Sequence, residues 1–336
     1  MSLDPSPRPA TPHDDAPSQP DGTPVPRVVP RALRVWAVFL AATAAAGTLA
    51  VWRYFVGSTT GQALDQMAFD GATYGRGTLW VVAEPVLDVV SISFVVVGMT
   101  VAMGIALVRR RWNLAAQVVV LVVGANLTTQ VLKKFVLDRP DLGYDSWGNS
   151  LPSGHTTVAA SVSVALVLAV PRGARPLVAL FGATYTVATG ISTLVGQWHR
   201  PSDVIAAMLV VLAWGALVCA FSSESALDPL SERPVVLESP RDYQMHSSST
   251  TLAVALLAVV GVAAGAIAGW ALLETASIVS GETAARGRSG FIAYVGGAGG
   301  VAAVTALVFA LLLGLRQGVA RPWRRPSRCD GHSQRP

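Results

Sequence analysis

The sequence predicts an all-α protein built as a multi-pass transmembrane helical bundle, and three observations predict it. Of 336 residues, 52% are hydrophobic and only 13% are charged, about half the charge of an ordinary soluble domain. The apolar residues fall into runs of roughly 17 to 25, long enough to cross about 30 Å of hydrocarbon as helices. The charges gather between those runs rather than along one face of each.

Residues 1–33 are rich in Pro, Asp, Ser and Thr and lack an apolar run; such a segment buries too little surface to offset chain entropy and is predicted to be a disordered N-terminal extension. The first span is predicted at about 35–52. Its Ala-rich end resembles a cleavage site, but so long a polar leader is unlike a signal peptide, and the span is expected to be retained. Further spans are predicted at about 80–108, 113–132, 155–171, 177–196, 203–222, 250–273 and 291–315. Residues 223–249 form a linker, and 316–336 a basic tail. Eight spans put both ends on one side. Arg27, Arg31 and Arg34, the triplet Arg109–Arg111, Arg172 with Arg175, and the tail share that side, which is therefore cytoplasmic. The expected location is the cell membrane, with both termini cytoplasmic.

The net charge of +5 equals the excess of six Arg over one Asp in residues 316–336, so it marks topology and anionic-lipid contact rather than a nucleic-acid partner. Cys219 lies in a span and Cys329 in the tail, which argues against a disulfide framework.

The opposite side receives the loops 53–79, 133–154, 197–202 and 274–290. Three polar segments meet there: Lys133–Pro140, Leu151–Thr157 and Ser192–Asp203. Ionisable residues at the rim of a helical bundle read as a functional site by default. Lys133 and Lys134 are the only lysines in the chain, and with Arg139 they run against the positive-inside bias. Lys as a point charge and Arg as a planar fork suit phosphate oxygens.

In the middle segment Pro152, Ser153 and Gly154 turn directly into an apolar run, with His155 in its first turn. Unpaired N–H groups and a positive dipole end make such a start an anion pocket, and an imidazole there suits proton donation to a leaving oxygen. By itself the segment serves equally as a helix cap. In the third segment Asp203 follows His199 by four residues, one helical turn. A carboxylate on one imidazole nitrogen fixes the tautomer and leaves the other as nucleophile; the plainer alternative is an Asp that caps the next helix. Glu84 and Asp88 flank Pro85 near the same rim; they border the site or bind a substrate hydroxyl, or, as the plainer alternative, hydrogen-bond to neighbouring helices at the interface. Asn126, Thr128, Thr129 and Gln130 are expected to serve helix packing.

Taken together, the three segments resemble the tripartite signature of the type-2 phosphatidic acid phosphatase (lipid phosphate phosphatase) superfamily, which also includes vanadium haloperoxidases. The Pro-Ser-Gly-His motif is matched by residues 152–155, and the third motif at Ser192, His199 and Asp203. The first is matched at Arg139-Pro140, with Lys133 one residue too close. The resemblance covers about residues 35–222 and implies a six-helix core over 34–222, with two extra C-terminal helices over 250–315. It implies metal-independent hydrolysis, with no cofactor, of a lipid mono- or diphosphate on the extracytoplasmic side. His199 would form a phosphohistidine, Asp203 would orient it, and His155 would protonate the leaving lipid oxygen and later activate water. Lys133, Arg139, Ser153 and the amides of Gly154 and His155 would hold the phosphate.

The family's Arg after Ser192 is Thr193 here, and Lys134 and Arg200 are the nearby candidates to replace it. The alternative reading is a catalytically weakened lipid-phosphate binding protein or transporter on the same scaffold. The extra helices, rich in Ala and Gly, are candidates for a lipid access groove or for homo-oligomerisation.

Overall fold

The computed structural model describes residues 29–76, 81, 83–85, 92–108, 110–144, 148–222, 240–281 and 288–320. Nine helices of thirteen residues or more are described. They are α1 (Arg31–Val51), α2 (Thr59–Gly71), α3 (Ile92–Val108), α4 (Trp112–Val131) and α5 (Gly154–Ala169), followed by α6 (Arg175–Val195), α7 (Pro201–Ala220), α8 (Pro240–Val279) and α9 (Ser289–Ala320). α1 and α4 each run on through one wider π-helical turn, Trp52–Val56 and Leu132–Val136. Among the described residues, six helices are long and apolar enough to cross a membrane: Arg31–Val56, Trp112–Val136, Arg175–Val195, Pro201–Ala220, Ser248–Val279 and Ser289–Ala320. Val97–Val108 and Gly154–Ala169 are shorter apolar helices. The chain is an all-helical, multi-pass membrane protein, and each of the eight predicted spans coincides with a helix. The start of the second span lies partly outside the described residues, as do residues 1–28, 223–239 and 321–336 of the predicted N-terminal extension, linker and tail.

α5 occupies the centre, with twelve of its residues buried against α3, α4, α6 and α7. Polar side chains on α4 bind its neighbours: Asn126 Nδ2 donates to Ser161 Oγ at 3.1 Å, Thr129 pairs with Thr157 at 2.9 Å, and Trp214 Nε1 donates to Thr128 Oγ1 at 3.0 Å. In hydrocarbon an unpaired polar group is costly, so such pairs fix which helix faces meet. On the outside, α1 turns Val35, Trp36 and Phe39 outward, and α8 does the same with Leu252, Val259 and Val262, the surface expected against lipid tails.

The structure corrects the sequence reading at one element. Residues 59–71, expected within a loop, form α2. Ser58 caps it, its hydroxyl accepting from the Gly61 N–H at 3.1 Å. Leu64 and Ala68 are four residues apart and both buried, a helical period too short to register as a span. The two C-terminal helices pack unequally. α8 covers the outside, but α9 is packed against α2, α6 and α7 as well as α8. Glycines allow this approach: a Cβ on Gly71 would collide with the Gly290 carbonyl, and one on Gly297 would come within 2.5 Å of Pro201 Cγ. At the other end of α9, Arg316 Nη2 donates to the Leu168 carbonyl at 3.2 Å, and Gln317 Oε1 accepts from Arg175 Nη1 at 3.0 Å.

Candidate active site

The three polar segments converge at one end of the bundle, where α4 ends, α5 and α7 begin, and α6 ends. α6 closes at Val195, and Gln197 then adopts a left-handed φ of 56°. The chain doubles back so that the N–H groups of Trp198 and His199 both donate to the Thr193 carbonyl, at 2.9 and 3.3 Å. Pro201 opens α7, with a fixed φ that suits a first turn.

His199 and Asp203 do meet, but not as two residues on one helix, because His199 precedes α7. Asp203, in the first turn, reaches back as a capping residue: its Oδ2 accepts from the Arg200 N–H at 3.0 Å. The same oxygen lies 3.2 Å from His199 Nδ1 and accepts from Ser150 Oγ at 2.7 Å. Asp203 is wholly buried and His199 is 8% exposed. Nδ1 is therefore committed to the carboxylate, and Nε2 is the ring nitrogen that the carboxylate does not engage.

His155 projects from the first turn of α5, half-buried. Its ring centroid lies 6.0 Å from that of His199 and 5.3 Å from that of Trp198. Ser153 is the N-cap of α5, its hydroxyl accepting from the Thr156 N–H at 3.3 Å, and its own N–H donates to the Asp203 carbonyl at 2.9 Å. That bond joins the middle and third segments directly. Gly154 is the first residue of α5, so its N–H and that of His155 belong to the group that no helical carbonyl satisfies.

Lys133 lies in the π-helical turn, half-buried, and interacts electrostatically with both Asp203 and His155. Lys134 is exposed. Arg139 is half-buried, with all three guanidinium nitrogens shielded from solvent. Its loop is held at three points: Trp52 Nε1 donates to the Asp138 carbonyl at 2.9 Å, Gln62 Nε2 to the Pro140 carbonyl at 2.9 Å, and Asn149 Nδ2 to the Leu137 carbonyl at 2.6 Å.

Several of these residues escape a motif reading. Asn149 also donates to the Lys133 and Leu151 carbonyls and accepts from the Leu151 N–H, tying the first segment to the second. Its position three residues before the Pro-Ser-Gly-His motif is the signal that could have found it. Gln62, Asp65 and Gln66 come from α2, far away in sequence, and carry no local signal. Gln66 Oε1 accepts from Arg200 Nε and Nη2 at 3.1 and 3.0 Å, Ser150 Oγ accepts from Arg200 Nη1 at 3.3 Å, and the guanidinium lies 5.2 Å over the Phe69 ring. Arg200 thus ties α2 to the third segment.

Thr193 is fully buried, its hydroxyl donating to the Gly190 carbonyl at 2.7 Å. Glu84 is exposed, and Asp88, His13, His332 and Cys329 lie outside the described residues. Cys219 is a buried free thiol.

The class the fold defines is a multi-pass helical membrane protein, and at one rim of its bundle it carries a histidine–aspartate pair, a facing histidine and a lysine. Residues 114–226 match the model of the PAP2 superfamily, the superfamily that the three segments resemble. The match spans α4 to α7 and contains all three segments; α1 to α3, α8 and α9 lie outside it. Comparisons with curated proteins and with solved structures return no significant match.

Proposed function

We propose that this protein is a metal-independent lipid phosphatase that works through a phosphohistidine. The observation that carries the reading is the His199–Asp203 pair at 3.2 Å with His155 across from it. His199 Nε2 attacks phosphorus while Asp203 holds Nδ1–H and offsets the charge that forms on the ring. The bond from phosphorus to the lipid oxygen breaks, and that oxygen takes a proton from His155. In the second half His155 removes a proton from water, which attacks the phosphohistidine, releases inorganic phosphate and restores His199. Lys133, Arg139, Ser153 and the first amides of α5 stabilise the equatorial oxygens as charge redistributes.

The substrate is a lipid mono- or diphosphate. The end of the bundle that holds the site faces the extracytoplasmic side, a reading supported by Arg111, Arg175 and Arg316, which lie on helix ends away from it.

The test uses purified full-length protein and a panel of lipid phosphates in mixed micelles with a chelator present. Inorganic phosphate should be released, and His199→Ala should lower the rate at least about a thousandfold, as loss of a nucleophile does. Release that survives this substitution, or that depends on added Mg²⁺, rules the mechanism out. Thr193 in place of the signature arginine favours a second reading, a binding protein without turnover. Saturable binding of the same lipids without phosphate release would establish that one.

A further inference from the structure

α2 carries a carboxylate that the reaction above does not use. Asp65 is 3% exposed. Its Oδ1 accepts from the Ser202 N–H at 3.1 Å and its Oδ2 from the Ser202 hydroxyl at 2.5 Å. Ser202 lies in the first turn of α7, where N–H groups have no helical acceptor and the dipole is positive, so a carboxylate is well placed there. The next residue is Asp203. Two carboxylates therefore close the start of one helix, Asp203 toward His199 and Ser150, and Asp65 toward Ser202.

Burial, then the charge of Asp203, push the Asp65 carboxyl up to about 7, against the opposing pull of Ser202 and Arg200. The charged groups that face Asp65 are Asp203 on α7 and Arg200 just before it. Around it α8 and α9 present Ala268, Leu272, Thr275, Gly296 and Gly297, none of them titratable. The His199–Asp203 pair faces His155, with Lys133 near both Asp203 and His155.

We infer that Asp65 is a positioning residue for the nucleophile: it fixes the first turn of α7 through Ser202, and its charge governs how tightly the His199–Asp203 pair holds a proton. The second half of this statement rests on the reading of His199 as the nucleophile. An ionised Asp65 places another negative charge behind Asp203 and favours the imidazolium form. When Asp65 takes up a proton that support is withdrawn, so the imidazole stays neutral, and able to attack, further into mildly acidic solution.

Asp65→Asn keeps an acceptor for the Ser202 N–H and removes the charge. In the full-length protein native Asp65 gains its charge through about pH 7, so the native kcat/KM profile should carry an inflection there that the asparagine variant lacks. The NMR titration of the histidine ring in the pair, assigned with His199→Ala, should lose the same inflection, and it needs no turnover. Ser202→Ala removes a bond that favours charged Asp65; it should move the inflection in both curves to higher pH, and serves if the asparagine variant does not fold.

A loss of kcat in these variants with both curves unmoved would mean that Asp65 is a structural cap only, and overturns the inference. Phosphate release that survives His199→Ala overturns the nucleophile reading instead, whatever the ring titration shows.

Discussion

Thr193 occupies the position where the signature carries arginine, and its surroundings decide what restoring that arginine would do. The side chain is fully buried, its hydroxyl is spent on the Gly190 carbonyl, and its own carbonyl receives the N–H groups of Trp198 and His199. A guanidinium placed there enters a packed interior, at a cost of several kcal/mol unless it is paired. Thr193→Arg should therefore lower phosphate release and the folded yield together, as measured by assay and size-exclusion chromatography. A rise in turnover at unchanged yield would show that an open clamp position exists.

Asp65 belongs to the same scale. In the folded protein it holds its proton up to about 7, whereas an unperturbed carboxyl releases it near 3.8. Its folded-state affinity is raised, so its contribution to stability is fully present below about 4 and is lost as pH rises through about 7. Melting of the native protein followed across that window should show a downward slope that Asp65→Asn flattens; equal slopes would mean that Asp65 does not titrate there. His199, Asp203, His155 and Lys133 were legible because each lies in a short polar segment beside an apolar run. Asp65 was not, because its partner Ser202 is 137 residues away.

At the level of elements, the site depends on loops whose backbone polar groups have no helix or sheet to satisfy them. Asn149 meets four of these needs by itself, with the carbonyls of Lys133, Leu137 and Leu151 and the N–H of Leu151. Removing it leaves part-buried carbonyls without that donor, each at a cost of about 1–3 kcal/mol. Asn149→Ala should lower kcat/KM about tenfold or more and expose the segment around Leu137 to protease, whereas Asn149→Asp, which keeps the acceptor and loses the donor, should recover little. Near-native rates for the alanine variant would show that the loop is held elsewhere. α2 supplies the matching contacts from the other side through Gln62 and Gln66. A helix of thirteen residues with an amphipathic pattern leaves a weak trace among long apolar runs, and so it read as part of a loop.

For the whole molecule, α9 changes how the domain boundary is understood. Sequence placed the last two helices outside the phosphatase-like core, and the superfamily match ends at residue 226, yet α9 lies against α2, α6 and α7. Arg316 and Gln317 stitch its far end to α5 and α6, and Gly297 sets its near end against Pro201, two residues from His199. A large side chain at Gly297 must move α9 or the start of α7, and overpacking of this kind costs about 1–3 kcal/mol. Gly297→Leu should lower the melting temperature and reduce phosphate release more than Gly314→Leu does, since nothing lies within 4 Å of a Cβ at Gly314. Equal effects at the two positions would argue that α9 does not support the site.

By itself the sequence determined what depends on composition and short spacing. The lengths of the apolar runs set which segments become long helices, because every backbone polar group in hydrocarbon must be paired within its own helix. The runs of Lys, Ser-Gly-His and His-Arg-Pro-Ser-Asp fixed the chemical character of the rim. Only the tertiary structure decided that a short amphipathic helix closes that rim and that the last helix belongs to the core. It alone set a second carboxylate behind the first. Those outcomes turn on which distant polar groups share a buried site, and the cost of leaving such a group unpaired appears only when the chain has brought them together.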